Sequence, residues 1–296
     1  MKIKKNKLYL QRRFIIKVKR MKTFSLTAFA VFVLSCCGCV AADKKEIKAS
    51  EIIKLLKNGK PVHIANRIIF GDLDFTLAGE PFILNAGMLQ CEIQSNIYFD
   101  GCVFMGKVTS NGKREKTSVQ TCFKSNLSFV GCDFRGEVDF SSAIVFGMVN
   151  FGRSIFRENA GFNNMAAWAK DCYFSEMKAE KNFSMIYASF AGNLNFHGAV
   201  FGANVSFQET TVKGKLVFNN ATFAETAGFD MMDVYGNAFF NYAEFEKMAN
   251  FSWSRFMYNA NFVNTSFKTQ ANFEKTTFMN TVNFEGVDRS RLIITE

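Results

Sequence analysis

Nine phenylalanines, Phe196, Phe207, Phe218, Phe229, Phe240, Phe251, Phe262, Phe273 and Phe284, stand eleven residues apart without a break. A companion series lies five residues later: Phe201, Val212, Phe223, Val234, Phe245, Phe256, Phe267 and Phe278. Apolar centres therefore alternate in steps of five and six. Two residues before most centres comes a small or compact residue, such as Ala199, Ala221, Ala243, Ser254, Thr265 or Ala271. Such a chain has to fold into something that repeats in space.

An eleven-residue period also suits a right-handed coiled coil. Phe, Asn, Gly and Thr are mediocre or poor helix formers, so that reading fails. Phe favours sheet, and in extended chain a centre and the residue two before it point the same way. Both then face the interior, and bulk at both would overfill it, which explains Phe paired with Ala, Ser or Thr. The period alone fits a four-sided coil or a flatter two-sided one.

The rhythm begins at Ile93, Phe99 and Phe104 and continues through Phe129, Phe140, Phe151 and Phe162. Counting back from Phe196 in elevens gives 185, 174 and 163, so the register slips by one residue between about 163 and 185. Residues 106–117 read as a polar loop.

The triplets AVF at 199–201, ATF at 221–223, AEF at 243–245 and ANF at 249–251 and 271–273 resemble the pentapeptide-repeat family in its Phe-centred form. The resemblance covers roughly 93–286. It implies an all-β, right-handed quadrilateral β-helix with 22 residues per turn. Eight such turns at ~4.8 Å per rung make a rod of roughly 40 Å. The segment 49–62 with GDLDF at 71–75 is similar to the lead-in of some such proteins. Residues 43–92 are thus read as a cap: Ser50 caps a short helix, Gly59 and Pro61 stop it, and β structure follows. Residues 287–296 form a C-terminal cap or tail, in which Leu292, Ile293 and Ile294 either cover the last rung or pair with a second copy.

Residues 1–42 read as a signal segment, basic up to Met21-Lys22, then apolar from Phe24 to Leu34, then small. Met21-Lys22 is itself an ordinary signal start, so 1–20 also reads as an extension ahead of it. Cys36 and, after it, Cys39 stand where a bacterial lipoprotein would be lipidated, while Val40-Ala41-Ala42 fits ordinary cleavage. The expectation is export to the cell envelope, with membrane contact only through a lipid anchor or the signal segment.

Of 36 Lys and Arg, ten lie in 1–42, leaving 26 against 26 Asp and Glu, all beyond residue 42. The remainder is neutral, which argues against a nucleic-acid partner. It also argues against the DNA mimicry by which some members of the family block topoisomerases, since that needs an acidic rod.

Cys91, Cys102, Cys132 and Cys172 occupy the small inward slot and read as buried thiols; Cys122 falls outside it and reads as exposed. His63 and His197 read as surface residues, and Asp230 and Asp233 as solvated turn acids. With no nucleophile set, no phosphate-binding Gly loop and no metal-ligand spacing, the chain reads as a non-enzyme without cofactor. The expected role is an envelope scaffold for a protein or glycan, with polysaccharide binding or cleavage as the alternative. Trp168, and Trp253 with Tyr258 around Phe256, are the contact-surface candidates.

Overall fold

The computed structural model describes residues 45–84, 87–169 and 171–295. The chain winds as a right-handed solenoid with four sides. In chain order the sides are face 1 (Val62–Ala65 through Val282–Asn283), face 2 (Glu46–Lys48 through Ser266–Phe267), face 3 (Leu73–Asp74 through Leu292–Ile293) and face 4 (Phe82–Ile83 through Thr277–Phe278). Faces 1, 2 and 3 are ten-stranded and face 4 is eleven-stranded. Pairing is parallel except at Phe82–Ile83 and in one hairpin.

Over most of the coil partners on neighbouring rungs lie 22 residues apart, as in Phe201↔Phe223 and Val212↔Val234, whereas the turn that carries the hairpin spans 30, as at Phe104↔Phe134. The interval becomes 23 at Val149↔Cys172, Ile155↔Lys178 and Ala166↔Ser189, and returns to 22 at Asp171↔Asn193. The slip expected over 163–185 is therefore one extra residue between Ala167 and Cys172, at the corner from face 4 to face 1. Inserting it at a corner leaves every ladder in register.

Phe rings fill the interior as columns. Phe229 stacks on Phe207 and Phe251 at 5.3 and 4.8 Å and meets Phe218 and Phe240 edge-on. Hydroxyls in the small slot bond to a carbonyl of the preceding turn: Ser154 Oγ donates to Phe129 O at 2.6 Å and Thr265 Oγ1 to Phe240 O at 2.7 Å. A polar slot is tolerated where its one donor is satisfied; the Thr121 hydroxyl, in the same slot before Phe123, has no such partner.

Two of the four corners use the same tight turn. After faces 1 and 3 the chain closes an i+3 to i backbone bond around a residue with positive φ, as at Ala199 N to Phe196 O and Thr210 N to Phe207 O. This is a type II turn, which favours Gly or Asn at that place. The corner after face 1 mostly obeys, with Asn66, Gly101, Gly131, Gly198, Asn220, Asn264 and Gly286 beside Arg153, Glu176 and Tyr242. The corner after face 3 does not: its column reads Ser142, Asn164, Tyr187, Glu209, Met231, Trp253 and Lys275.

Three local expectations are corrected. Residues 106–117 hold no open loop, for Asn111–Arg114 pairs antiparallel with Thr117–Phe123. Arg114 ties this hairpin to the N-terminal end through Thr76 O at 3.1 Å. The helix α1, Ala49–Lys57, is flanked by Lys48 rather than capped by Ser50, which lies inside it. It buries Ala49, Ile52, Ile53 and Leu56 on the first rungs and ends at Gly59, φ 66°. Cys122 is buried, and it hydrogen-bonds with Lys124, which is held by Glu92 at 2.9 Å.

The coil also starts before residue 93: Val62–Ala65 and Ile68–Phe70 already pair with Ile97–Asp100 and Val103–Phe104. The ladders therefore hold more rungs than the eight expected. At the other end Leu292–Ile293 adds a strand to face 3 beside Ala271–Asn272, and Leu292 packs on the core.

Candidate contact face

Face 4 shows one outward residue per turn just after each strand. From the N-terminal side the column reads Lys124, Phe146, Trp168, Ala191, Lys213, Tyr235, Met257 and Met279. Rung stacking brings the rings and cations together. Phe146 and Trp168 lie near-parallel with centroids 6.3 Å apart, and Lys124 Nζ sits 4.8 Å from the Phe146 centroid. Lys213 Nζ is 3.4 Å from the Tyr235 centroid.

Trp253 stands at the edge shared with face 3, where Lys275 Nζ is 4.2 Å from its ring centroid. Tyr258 stands at the opposite edge, shared with face 1. Between them Arg255 holds Asp233 of the preceding rung, Nε to Oδ1 2.6 Å. Cation–π contacts at exposed sites are modest, about 0.5–1 kcal/mol each, but they fix ring positions.

Trp168, Trp253 and Tyr258 are 62%, 53% and 58% exposed. All three belong to face 4 or its edges. Trp168 lies four turns from the other two, so they form one face without forming one cluster. Phe146, Tyr235 and Met279 complete the face and were missed by reading motifs alone. Steps of 22 link Tyr235 to Lys213, Met257 and Met279; a step of 23 across the extra residue links Ala191 to Trp168. Among described aromatics between residues 97 and 284 that are largely exposed, Tyr242 alone stands elsewhere. Cys36 and Cys39 lie outside the described residues.

Asp230 and Asp233, neighbours in sequence, part at the corner after face 3. Asp233 points out on face 4, while Asp230 borders face 3, where burial and the neighbouring Glu209 carboxylate raise it above the usual aspartate range. The cysteines of the coil are thiols, all buried. Burial pushes Cys172 up to about 12 and raises Cys91, Cys122 and Cys132. Cys132 also hydrogen-bonds with Cys102 on the rung before. Both histidines are exposed; His63 meets the Tyr98 ring edge-on.

Among the described residues no group of three or more His, Cys, Asp and Glu is placed to hold a metal ion. Among them no helix is long and apolar enough to cross a membrane. The fold defines the chain as an all-β, four-sided, right-handed solenoid protein. No protein family, no curated protein and no solved structure matches it.

Proposed function

We propose that the chain is a pentapeptide-repeat scaffold of the bacterial cell envelope, without enzymatic activity, that presents face 4 to a protein partner. The Ala-x-Phe triplets and the four-sided, 22-residue turn support the family reading. The basic, apolar and small order of residues 1–42 supports export, with lipidation at Cys36 ahead of Cys39.

One observation carries the functional reading: both tryptophans and nearly all the other exposed coil aromatics stand on face 4 or its edges. Interface cores are enriched in Trp, Tyr, Phe, Met and Arg, and Trp, Tyr and Arg dominate binding hot spots. Arg255, Met257 and Met279 complete that composition here. A rigid coil holds such side chains at little cost in ordering on binding.

The test is photo-crosslinking in intact cells, with a benzophenone amino acid placed at Trp168, Trp253 or Tyr258, and at Thr222 on face 2. Adducts of one defined mass from the first three positions, absent from Thr222 and recovered from the envelope, are expected. Adducts of equal yield from every face, or none, would refute the contact face. Recovery from the cytoplasm would refute export.

A further inference from the structure

Face 3 carries a feature that the contact face does not explain. A groove of ≈ 460 Å³ runs along the solenoid axis over four successive turns. Its floor is one small outward residue per turn: Ser184, Ser206, Gly228 and Asn250. On the side of face 2 it is walled by Asn182, Asn204, Thr226 and Met248, and on the other side by Asp230. Thr226 Oγ1 donates to Asn204 Oδ1 at 2.6 Å, so the wall is organised across rungs.

The same four turns carry Tyr187, Glu209, Met231 and Trp253 at the corner after face 3. Their φ values are 59°, 54°, 56° and 61°, a conformation that disfavours bulky side chains. The corner after face 1 serves as an internal control, because it makes the same turn and fills it mostly with Gly and Asn. Folding therefore does not require large side chains at this position. Tyr187 hydrogen-bonds to Glu209, and Lys275 covers Trp253. Backbone strain held against a simple remedy points to use of the side chains.

We infer that this groove, with the raised corner beside it, binds a neutral linear glycan lying along the solenoid axis. The class follows from what the site offers. Backbone N–H and C=O groups of the floor are spent in the rung-to-rung ladder, so a peptide cannot add as a strand. No Lys or Arg lines the groove and Asp230 adds a carboxylate, which disfavours nucleic acid and other polyanions. What remains is a row of amides, hydroxyls and one carboxylate at rung spacing, ~4.8 Å, beside a Met, Tyr and Trp edge. Sugar hydroxyls pair with the first, and the apolar faces of pyranose rings with the second. The inference goes beyond the protein-contact reading and uses a different face.

The test is calorimetric titration of the full chain with cellohexaose, laminarihexaose, maltohexaose and chitohexaose, with a Gly-Ser peptide of similar length as control. Two variants locate the site. Gly228→Phe fills the floor. A Cβ there meets nothing nearer than Asp230 Oδ1 at 3.4 Å, and φ is ordinary, so the fold accepts it. Met231→Asn relaxes the turn and removes the raised side chain.

At least one hexasaccharide is expected to bind. Gly228→Phe should weaken it about tenfold or more, ~1.4 kcal/mol, with an unchanged melting temperature. Met231→Asn should weaken it at an equal or higher melting temperature, and Thr222→Phe on face 2 should leave it unaffected. No binding by any hexasaccharide at millimolar concentration, equal binding by Gly228→Phe, or equal binding of the peptide would overturn the inference. So would a lowered melting temperature with full affinity in Met231→Asn. Trp253 belongs to both surfaces, but Trp168 and Tyr258 lie outside the groove and its corner and report the crosslinking reading alone, so the two readings fail separately.

Discussion

Replacing Phe229 by Ala tests the packing at one of its most connected points. The ring is fully buried, with stacked partners at 5.3 and 4.8 Å and edge-on partners at 5.3 and 5.5 Å. Truncating a buried Phe to Ala costs about 3–5 kcal/mol, depending on how far the site collapses. Aromatic pairs add about 0.5–1.5 kcal/mol each beyond area. Six such pairs, these four and edge-on contacts with Phe223 and Phe245 at 5.7 and 6.2 Å, held by ladders that cannot close in, place Phe229→Ala at the upper end, about 4–5 kcal/mol.

Phe284→Ala makes the same change in the last rung of face 1. That ring is 8% exposed and meets Phe262, Phe273 and Phe278 at 5.1, 5.4 and 6.2 Å, with no rung beyond it on its ladder. Its loss should be nearer 2–3 kcal/mol, about 2 kcal/mol less than the central site. Against a total stability of about 5–15 kcal/mol the difference is readily measured. Urea unfolding followed by circular dichroism and by tryptophan fluorescence measures both, and coincident curves establish whether the array melts as one unit. A loss below about 2 kcal/mol for Phe229→Ala, or equal losses at the two sites, would refute nearest-neighbour packing of the rings.

Two further outcomes follow from the buried ionisable groups. The thiols of Cys91, Cys102, Cys122, Cys132 and Cys172 should resist iodoacetamide in the native protein at mildly alkaline pH and react in concentrated guanidinium. Mass spectrometry showing native modification at any of the five would contradict the burial. For Asp230 the folded carboxyl is raised above its usual value of 3.8. The folded state therefore holds the proton more tightly, and this site's contribution to stability falls as pH rises through the window between the two values. Asp230→Asn should melt higher than the parent at neutral pH, with the gap closing on acidification below the usual aspartate value. A gap that widens on acidification would contradict the sign.

Much of the coil was legible because its interior admits one ring per step, so Phe229 or Phe251 could not be moved by a single position. The first rungs were not, since Ile64 and Ile69 stand in the columns of Phe99 and Phe104 and counting phenylalanines passes over them. The hairpin at 111–123 escaped for a different reason. Its first strand, Asn111–Arg114, carries no apolar residue and is held by pairing and by Arg114 reaching the N-terminal end, a contact 38 residues distant in sequence. Burial of Cys122 escaped because it stands beside Phe123 and outside the small slot, with its partner Lys124 held by Glu92 of the preceding rung. Face 4 was partly legible: Trp168, Trp253 and Tyr258 drew attention as aromatic residues, but their common face required locating one extra residue at a corner.

The two tight corners also separate what serves folding from what serves the surface. Left-handed backbone at a residue other than Gly costs on the order of 1–3 kcal/mol, and Tyr187, Met231 and Trp253 take it on three nearby turns of one corner. The opposite corner shows the remedy in Gly198, Asn220 and Asn264, at equal φ and with the same turn bond. Phe columns contribute stability from inside and do not depend on what the corners display. Outward positions are thus free to vary, and a costly choice repeated at one corner and mostly avoided at the other is hard to assign to folding. Trp253 stands where that strained corner meets the aromatic face, which makes it the residue whose loss should reach both surfaces.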